Sequence, residues 1–271
     1  MSAMKGKVMV VTGASSGIGA ALALEGLARG MNVVLAARNA EAMDRLTKEA
    51  ALGPGRYIMV RTDVTRPGDC EHLIEKTIET FGQLDVLINN AGISMRALFS
   101  ESGLDVLERI MQVNFWGTVY CTHYAMPWLL KAQGSVAGIS SIAGYKGLPA
   151  RTGYSASKFA MHGFLESLRI ENRKQGLHVL IACPGFTASN IRKTALAGDG
   201  TAQGESPRDE GKMMSATAVA RHIIHAIENR RTTLVLTRQG KLTVLLNRFF
   251  PAWVDKLVFD HMAREPDSPF K

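Results

Sequence analysis

The sequence predicts one α/β domain in which helices cover both faces of a parallel sheet. Unbroken apolar runs such as residues 8–11 are typical of strands that are buried on both faces, and segments of helical pattern separate these runs. A chain of 271 residues is an ordinary length for a single domain of this kind. A hydrophobic fraction of 46% supplies enough apolar side chains for a sizeable core. We therefore expect residues 1–271 to form one domain.

Strands and helices are predicted to alternate along the chain. Apolar runs place the strands, and helical pattern, capping residues and Gly or Pro breaks place the helices. The predicted strands are 8–11, 32–36, 57–62, 84–88, 134–139, 178–183 and 233–236. The predicted helices are 20–29, 41–51, 66–82, 101–124, 154–174 and 216–230.

Charge and cysteine content limit the kinds of partner. The net charge of +8 suits an anionic ligand or an acidic surface, or it has no specific meaning. We find no basic run or stripe that would predict nucleic-acid binding. Cys70, Cys121 and Cys183 are widely separated, which predicts neither a disulfide framework nor a metal site. His222 and His225 lie three apart without further ligands, so we expect no metal.

Neither a signal peptide nor a membrane span is expected, and the predicted location is cytoplasmic.

A glycine-rich turn separates the first predicted strand from an apolar helix. Its spacing, G-x-x-x-G-x-G, departs from the usual G-x-G-x-x-G fingerprint. Glycines let the backbone approach a pyrophosphate, and a helix N-terminus offers free N–H groups and the positive end of the helix dipole. We interpret the turn as a phosphate-binding loop rather than a turn without a ligand. The residues assigned to it are Gly13, Ser15, Ser16, Gly17, Ile18 and Gly19.

The ends of the second and third strands bear on the identity of the cofactor. An NAD-preferring site usually has an acidic residue after the second strand, but Ala37 stands there and Arg38 follows. An arginine can bind a 2′-phosphate with about 1.5–3 kcal/mol, so Arg38 favours NADP as the cofactor. The alternative is that Arg38 is a solvated residue at the end of the strand. Asp63 could meet the adenine amino group, cap the helix that begins near Arg66, or do both.

The fourth strand leads into small residues and then into a long predicted helix. Residues 89–92 suit a close approach to a ligand, and their two asparagines can tie neighbouring strands together. Asn114 lies among apolar residues in the helix predicted over 101–124. Its side chain could bond the preceding turn, or it could bend the helix and hold a water.

Tyr154 and Lys158 are four residues apart, which places both side chains on one face of a helix. A cation roughly 4 Å from a tyrosine hydroxyl could lower the tyrosine pKa by up to about 3 units, before any loss from burial of the lysine. Such a tyrosine can exchange a proton with an oxygen on a reacting carbon, and Ser141 could donate a second hydrogen bond to that oxygen. The same spacing also occurs by chance on many helices.

Two segments after the sixth strand differ from the rest of the chain. Residues 190–215 are glycine-rich and unpatterned, which predicts a functional lid or a mobile loop that contacts the substrate. Residues 238–271 form an amphipathic extension that Pro251 interrupts, and we expect it to pack on the core, the lid or a second subunit. A membrane-surface helix is the less favoured alternative, because Lys241, Arg248 and Lys256 flank the apolar positions.

Substrate specificity is predicted to lie in residues 93–100, 144–153 and 190–215. Apolar side chains in and near these segments indicate an apolar pocket, although ordinary loop packing would also account for them. These side chains are Phe99, Tyr145, Leu148, Phe186 and Met213.

Taken together, these pieces resemble the short-chain dehydrogenases/reductases over about residues 8–187. The matching pieces are residues 12–19, 89–92, 114, 141, 154–158 and 184–185. The resemblance implies a Rossmann-type, doubly wound parallel sheet of seven strands with helices on both faces. With Arg38, it points to the NADP-preferring branch of the family.

The resemblance also implies a role for each catalytic residue. Tyr154 would be the general acid/base, and Lys158 would lower its pKa and hold the nicotinamide ribose. Ser141 would orient the substrate carbonyl, and Asn114 would position a water in a proton relay. The implied activity is NADP(H)-dependent interconversion of a ketone or aldehyde and an alcohol. The alternative is a non-catalytic NADP-binding regulator or scaffold on the same fold.

Further cofactor contacts and an oligomer follow from the same resemblance. Either Thr187 or Ser189 would supply the hydroxyl that meets the cofactor phosphate. A homodimer or homotetramer would pair the helices over 101–124 and 154–174. The tail beyond residue 237 resembles that of members that act on lipophilic ketones, such as steroid dehydrogenases. The remaining expected cofactor contacts are Val64, Asn90, Ala91, Gly92, Pro184, Gly185, Phe186 and Thr187, with Tyr154 and Lys158.

Overall fold

The computed structural model describes residues 3–51, 55–187, 190–205, 211, 213–264 and 268–270. Its strands are β1 (Val8–Thr12), β2 (Asn32–Ala37), β3 (Tyr57–Arg61), β4 (Val86–Asn89), β5 (Ser135–Ile139), β6 (His178–Cys183) and β7 (Thr233–Val235). Its α-helices are α1 (Gly17–Ala28), α2 (Ala40–Glu49), α3 (Pro67–Phe81), α4 (Leu104–Met111), α5 (Gly117–Lys131), α6 (Thr152–Glu171), α7 (Ala216–Glu228), α8 (Arg238–Phe249) and α9 (Pro251–Ala263). The predicted alternation of strands and helices is confirmed.

All seven strands are parallel and form one sheet with the order β3-β2-β1-β4-β5-β6-β7. Successive side chains of β1 point to opposite faces. Met9 and Val11 pack in the cluster that contains α1 and α7, whereas Val10 packs in the cluster that contains α3, α5 and α6. Both faces are therefore covered, as the unbroken apolar runs predicted, and the single Rossmann-type domain is confirmed.

The strand order reverses between β1 and β4, which opens a crevice at the carboxyl ends of the strands. The Thr12 hydroxyl accepts hydrogen bonds from the backbone N–H groups of Asn90 and Ala91, each at 3.0 Å. The Asn90 amide donates to the Thr12 carbonyl at 2.9 Å. Asn89 donates to Thr122 of α5 at 3.0 Å. Asn90 thus ties β4 to the neighbouring strand β1, as predicted, whereas Asn89 ties β4 to the helix α5 and not to a strand.

The structure differs from the long helix predicted over 101–124 in the middle of the helix and at both ends. It begins at Leu104, passes through a π-helical segment, Gln112–Trp116, and continues as α5 to Lys131. A π-helical segment widens the helix locally and changes the direction of the side chains it carries. Asn114 lies in this segment and not in regular α-helix.

The tail folds as two helices, and Pro251 begins the second of them, as the interruption predicted. In residues 190–205, backbone bridges join Leu196 to Met95 and to Ala202. Residues 206–210 and 212 of the predicted loop lie outside the described residues, and the mobility of the loop stays a prediction. None of the helices described is long and apolar enough to cross a bilayer.

Candidate functional site

A cleft of about 540 Å³ occupies the crevice between β1 and β4. Its volume lies within the usual range for ligand sites, about 300–1,000 Å³. Most of the predicted cofactor residues line it: Gly13, Ser15, Ser16, Gly17, Ile18, Arg38, Asp63, Val64, Asn90, Ala91 and Gly92. Gly19 is buried in the first turn of α1.

The N-terminus of α1 faces this cleft without a cap from its own side chains. The N-cap residue, Ser16, makes no side-chain capping hydrogen bond, and the first turn contains no acidic residue. The N–H groups and the positive end of the helix dipole are therefore available to an anion. The loop fits the pyrophosphate of a dinucleotide.

Two glycines of this loop are required by packing within the protein. A Cβ on Gly13, whose φ is +66°, would lie 2.9 Å from the Ala91 Cα. A Cβ on Gly19 would lie 2.2 Å from the Gly13 carbonyl oxygen. The interpretation that glycine here serves ligand approach is therefore incomplete, because the protein itself already excludes side chains at both positions: the segment after β4 does so at Gly13, and the Gly13 carbonyl does so at Gly19.

Arg38 and Asp63 lie together at the adenosine end expected for the cleft. Burial tends to raise the pKa of Asp63, but hydrogen bonds from the Thr65 N–H (3.0 Å) and hydroxyl (2.8 Å), with the charge of Arg38, lower it overall. Asp63 therefore carries its charge in an Asx turn. The prediction that it caps α3 is wrong: Arg66 is the N-cap residue without a side-chain cap, and Asp69 accepts from the Asp63 N–H.

The Asn114 side chain joins two segments that border the site. Its Oδ1 accepts from the Ile93 N–H at 2.8 Å. Its Nδ2 donates to the Ile93 carbonyl at 3.0 Å and to the Ser157 hydroxyl at 2.9 Å. The predicted bond to the preceding turn is wrong, because the π-helical segment directs the amide toward the chain after β4 and toward α6. The expected contact with a water stays a prediction.

Lys158 is buried under the Tyr154 ring, one turn further along α6. Its Nζ lies 5.8 Å from the ring centroid and donates to the Ile139 carbonyl at 2.9 Å. Burial lowers the pKa of Lys158 to about 8, although the charge of Cys183 acts in the opposite direction. Lys158 is therefore less fully charged than we assumed when we predicted its effect from the spacing between Tyr154 and Lys158.

Tyr154 is partly exposed to a second cavity, and Ser141 lines the same cavity. Burial raises the pKa of Tyr154, and the opposing influences are a hydrogen bond with Ser141 and the charges of Arg151 and Arg192. The expectation that Lys158 lowers the pKa of Tyr154, by up to about 3 units before any loss from burial of the lysine, is not met, because this pKa is raised. Desolvation outweighs the neighbouring charges, and the lysine points to Ile139 beneath the ring.

The second cavity has a volume of about 310 Å³ and adjoins the cleft, since Ile191 lines both. Gly185 and Phe186 line this cavity and not the cleft, while Pro184 and Thr187 are buried and line neither, so their expected contacts with the cofactor stay a prediction. Of the five apolar residues proposed for a pocket, only Leu148 and Phe186 are in its wall. Phe99 and Met213 do not line it, and Tyr145 instead packs its ring on His162 with centroids 4.6 Å apart.

The tail supplies a large part of this wall, which the sequence did not predict in detail. The apolar residues of α8 and α9 that line it are Leu242, Leu246, Val254, Leu257, Val258 and Met262. The tail is attached to the loop that follows Ser141: Lys146 forms an ion pair with Asp255, and Asn247 donates to the Tyr145 carbonyl at 3.1 Å. The tail thus packs on the body of the domain through part of its surface, but several of the apolar side chains expected to pack there, among them Leu245, Phe249 and Trp253, are exposed.

Sequence reasoning missed several polar residues around the site. Arg109 and Val113 both line the cleft. They are four residues apart, so they lie on the same face of the helix, and this spacing could have indicated Arg109. Arg151 and Arg192 line the second cavity. Arg151 precedes Tyr154 by three residues and donates to the Met95 carbonyl at 3.0 Å.

His162 is a further missed residue, at i+4 from Lys158 and on the same face of α6. Its Nε2 lies 2.7 Å from the Ser140 hydroxyl and 3.9 Å from the Cys183 sulfur. A Cβ on Gly144 would lie 2.6 Å from that nitrogen. The imidazole therefore fills the space beneath the loop that carries Ser141. In the residues described, no cluster of His, Cys, Asp or Glu could hold a metal.

The parallel sheet, the anion-binding helix terminus and the adjoining cavity define a Rossmann-type protein with a dinucleotide cleft. The family model for the short chain dehydrogenases matches residues 7–199. The chain belongs to the short-chain dehydrogenase/reductase family, and nicotinamide dinucleotides are the cofactors of that family.

Comparisons with individual proteins agree with this membership. The chain is 42% identical over 207 residues to 11-beta-hydroxysteroid dehydrogenase A of Arachis hypogaea, covering 76% of this chain and 58% of that protein. It is 33% identical over 273 residues to dehydrogenase/reductase SDR family member 7B of Bos taurus, covering 98% and 84%. A short-chain dehydrogenase/reductase from Burkholderia phymatum, solved in complex with NAD, has a TM-score of 0.82 at 27% identity, covering 93% of this chain and 96% of that one.

We predict that Gly19→Ala disrupts the phosphate-binding loop. The new methyl group would overlap the Gly13 carbonyl, so we expect the free energy of unfolding in urea to fall by about 1–3 kcal/mol and dinucleotide affinity to fall with it. Gly163→Ala is the matched control, because nothing lies within 4 Å of its Cβ. It should stabilise α6 by up to about 1 kcal/mol. Equal stability of the two variants would contradict the packing argument.

We also predict that the buried His162 makes the protein less stable in acid. Burial, reinforced by the charge of Lys158, lowers the pKa of His162 from 6.5 to about 4. The unfolded chain therefore binds a proton that the folded protein excludes, and stability is lost as the pH falls through this interval. The loss should reach about 3 kcal/mol between about pH 6.5 and about pH 4.

Urea unfolding of His162→Gln, measured across the same pH interval, isolates this contribution. The variant should show a smaller pH dependence than the parent protein, because the titrating group is gone. His222→Gln, at an exposed histidine of α7, is the control and should keep the parent dependence. An unchanged pH dependence in His162→Gln would show that other groups cause the loss.

Proposed function

We propose that the chain is an NADP(H)-dependent oxidoreductase that interconverts a ketone or aldehyde and the corresponding alcohol. The observation that carries the proposal is that the dinucleotide cleft and the cavity containing Tyr154 and Ser141 adjoin at Ile191. A nicotinamide cofactor bound in the cleft would supply or accept the hydride. The protein would orient the substrate and move the accompanying proton.

The environment of Tyr154 supports a proton-donating role at neutral pH. Because burial raises the pKa of Tyr154, its hydroxyl keeps its proton under these conditions. The hydroxyl can therefore donate to a carbonyl oxygen, while Ser141 holds the same oxygen. This protonation state favours carbonyl reduction, whereas alcohol oxidation needs the deprotonated tyrosine and would be faster at high pH.

Three observations support NADP as the cofactor and Thr187 as one of its contacts. Arg38 lines the cleft where an acidic residue would favour NAD, and Arg109 adds a second cation. The Thr187 hydroxyl oxygen is buried and has no partner among the described residues, so a cofactor phosphate would satisfy it. Ser189, the alternative hydroxyl, lies outside the described residues.

The wall of the second cavity supports a lipophilic substrate. Much of its lining is apolar and comes from Leu148, Phe186 and side chains of α8 and α9. Burial of an apolar substrate surface against them would provide about 25 cal/mol for each Å². The reacting carbonyl would lie at the polar end, beside Tyr154 and Ser141.

Members of the family usually form oligomers, and we propose a homodimer or homotetramer that uses α5 and α6. Phe159 and Ile170 of α6 are exposed, and so is Trp116, which directly precedes α5. A partner subunit would cover apolar side chains that a monomer leaves in water.

Tyr154→Phe tests the catalytic role. The variant loses the transferable proton and keeps the ring, so kcat for NADPH-dependent reduction of apolar ketones and aldehydes should fall at least about a hundredfold, while NADPH binding is retained. Tyr57→Phe, on β3 and outside both cavities, is the matched control and should keep its activity. Substantial turnover by Tyr154→Phe would contradict the mechanism. NADPH binding without turnover in the parent protein would instead favour a regulator or scaffold.

A fluorescence titration with NADPH and NADH tests the cofactor. The parent protein should prefer NADPH, and Arg38→Ala should weaken NADPH binding roughly ten- to a hundredfold with little effect on NADH. Arg45→Ala removes an exposed arginine of α2 that does not line the cleft, and it should leave both affinities unchanged. Equal binding of the two cofactors by the parent protein would contradict the NADP assignment.

A further inference from the structure

The outer surface of α8 and α9 carries an unusual concentration of exposed apolar side chains. Half of the large apolar side chains that are exposed in the described structure lie in residues 242–259, a small fraction of the chain. Their exposures range from 45% to 64%. They are Leu242, Leu245, Phe249, Phe250, Trp253, Leu257 and Phe259. We call this set the tail surface.

The folding of the tail does not explain the tail surface. In α8 only Gly240 is buried, and in α9 only Val254 and Met262. Leu242 and Leu257 belong to the cavity wall, and the Phe259 ring packs on Phe270 with centroids 5.2 Å apart. The remaining members line neither cavity, and more than half of each side chain is exposed: Leu245, Phe249, Phe250 and Trp253. A group of exposed apolar side chains of this kind normally marks an interaction site.

Basic residues alternate with the members of the tail surface along α8 and α9. Between residues 238 and 264 the sequence has five basic residues, Arg238, Lys241, Arg248, Lys256 and Arg264, against two acidic ones, Asp255 and Asp260. Asp255 is already paired with Lys146. The tail therefore presents a positive charge next to an apolar face, which is the pattern of helices that lie in the interface of an anionic bilayer.

The tail surface is continuous with the mouth of the second cavity. Leu242 and Leu257 are each about half exposed and also line the cavity. A lipophilic molecule dissolved in a bilayer against this surface would meet the cavity directly. The helices have 12 and 13 residues, which is too short to span a bilayer but long enough to lie in its plane.

We propose that α8 and α9 form a peripheral membrane-binding surface for anionic lipid, with the cavity opening toward the bilayer. A second copy of the chain fits the same surface less well. Pairing of two such surfaces by a two-fold axis would bring like charges together in a desolvated interface, among them Lys241, Arg248 and Lys256. Lipid phosphates would instead neutralise these cations while the acyl region covers the apolar side chains.

Sedimentation of the full chain with vesicles tests this surface. We compare phosphatidylcholine alone with phosphatidylcholine containing phosphatidylserine, at low and high salt. Binding should be at least about tenfold stronger with phosphatidylserine and should weaken with salt. Leu245→Ser/Phe249→Ser should lose binding to both kinds of vesicle, and Lys241→Gln/Arg248→Gln should lose the preference for phosphatidylserine. None of these four residues lines either cavity.

Two controls separate this proposal from the alternatives. Met59→Ser/Leu104→Ser removes exposed apolar side chains elsewhere and should bind vesicles like the parent protein. Tyr154→Phe should also bind like the parent protein, so the result does not depend on the proposed enzymatic function. Equal binding by all variants, or no binding by the parent protein, would overturn the proposal. A smaller mass in light scattering for Leu245→Ser/Phe249→Ser, without vesicle binding by the parent protein, would assign the surface to a second copy.

Discussion

The amide of Asn114 is the contact on which the geometry of the site depends. Through it the π-helical segment between α4 and α5 is joined to the chain after β4 and to α6, which carries Tyr154 and Lys158. Ile93 and Ser157 are far apart in sequence, so no local interaction would hold them together. Loss of the amide would remove the hydrogen-bond partner of the Ile93 N–H and carbonyl, whereas the Ser157 hydroxyl would keep its donation to the Tyr154 carbonyl at 2.7 Å. The two cavities could then shift relative to each other.

Burial opposes the charged forms of both Tyr154 and Lys158. It raises the pKa of Tyr154 and lowers that of Lys158 to about 8, so the pair holds less charge than two exposed groups would. Desolvation destabilises the charged form of the lysine as well as that of the tyrosine. A lysine of this kind can act as a hydrogen-bond donor whose charge responds to its surroundings, and a negative cofactor phosphate nearby would favour its protonated form.

The sequence was sufficient to predict the fold because strands that are buried on both faces consist of unbroken apolar residues, as in residues 8–11. It also located the cleft, since the glycine turn and the 89–92 segment end neighbouring strands. It failed where the result depends on contacts between distant segments. The partners of Asn114 lie 21 and 43 residues away. The balance of burial against charge at Tyr154 depends on Arg151 and Arg192, and only the folded chain places Arg192 beside it. The Asx turn of Asp63, by contrast, involves Thr65 and is readable from local sequence.

The tail helices α8 and α9 have exposed side chains and also contact the loop that begins at Ser141. Gly240 packs against Ile142, and Lys146 holds α9 through Asp255 and the Pro251 carbonyl. Both contacts involve the loop that begins at Ser141. The same helices form one wall of the cavity, so a change in their position would alter the cavity and the loop together. A partner that fixes α8 and α9 would therefore stabilise one shape of the substrate site. That coupling gives a physical reason why two helices with so little buried surface of their own would be retained next to the reaction space.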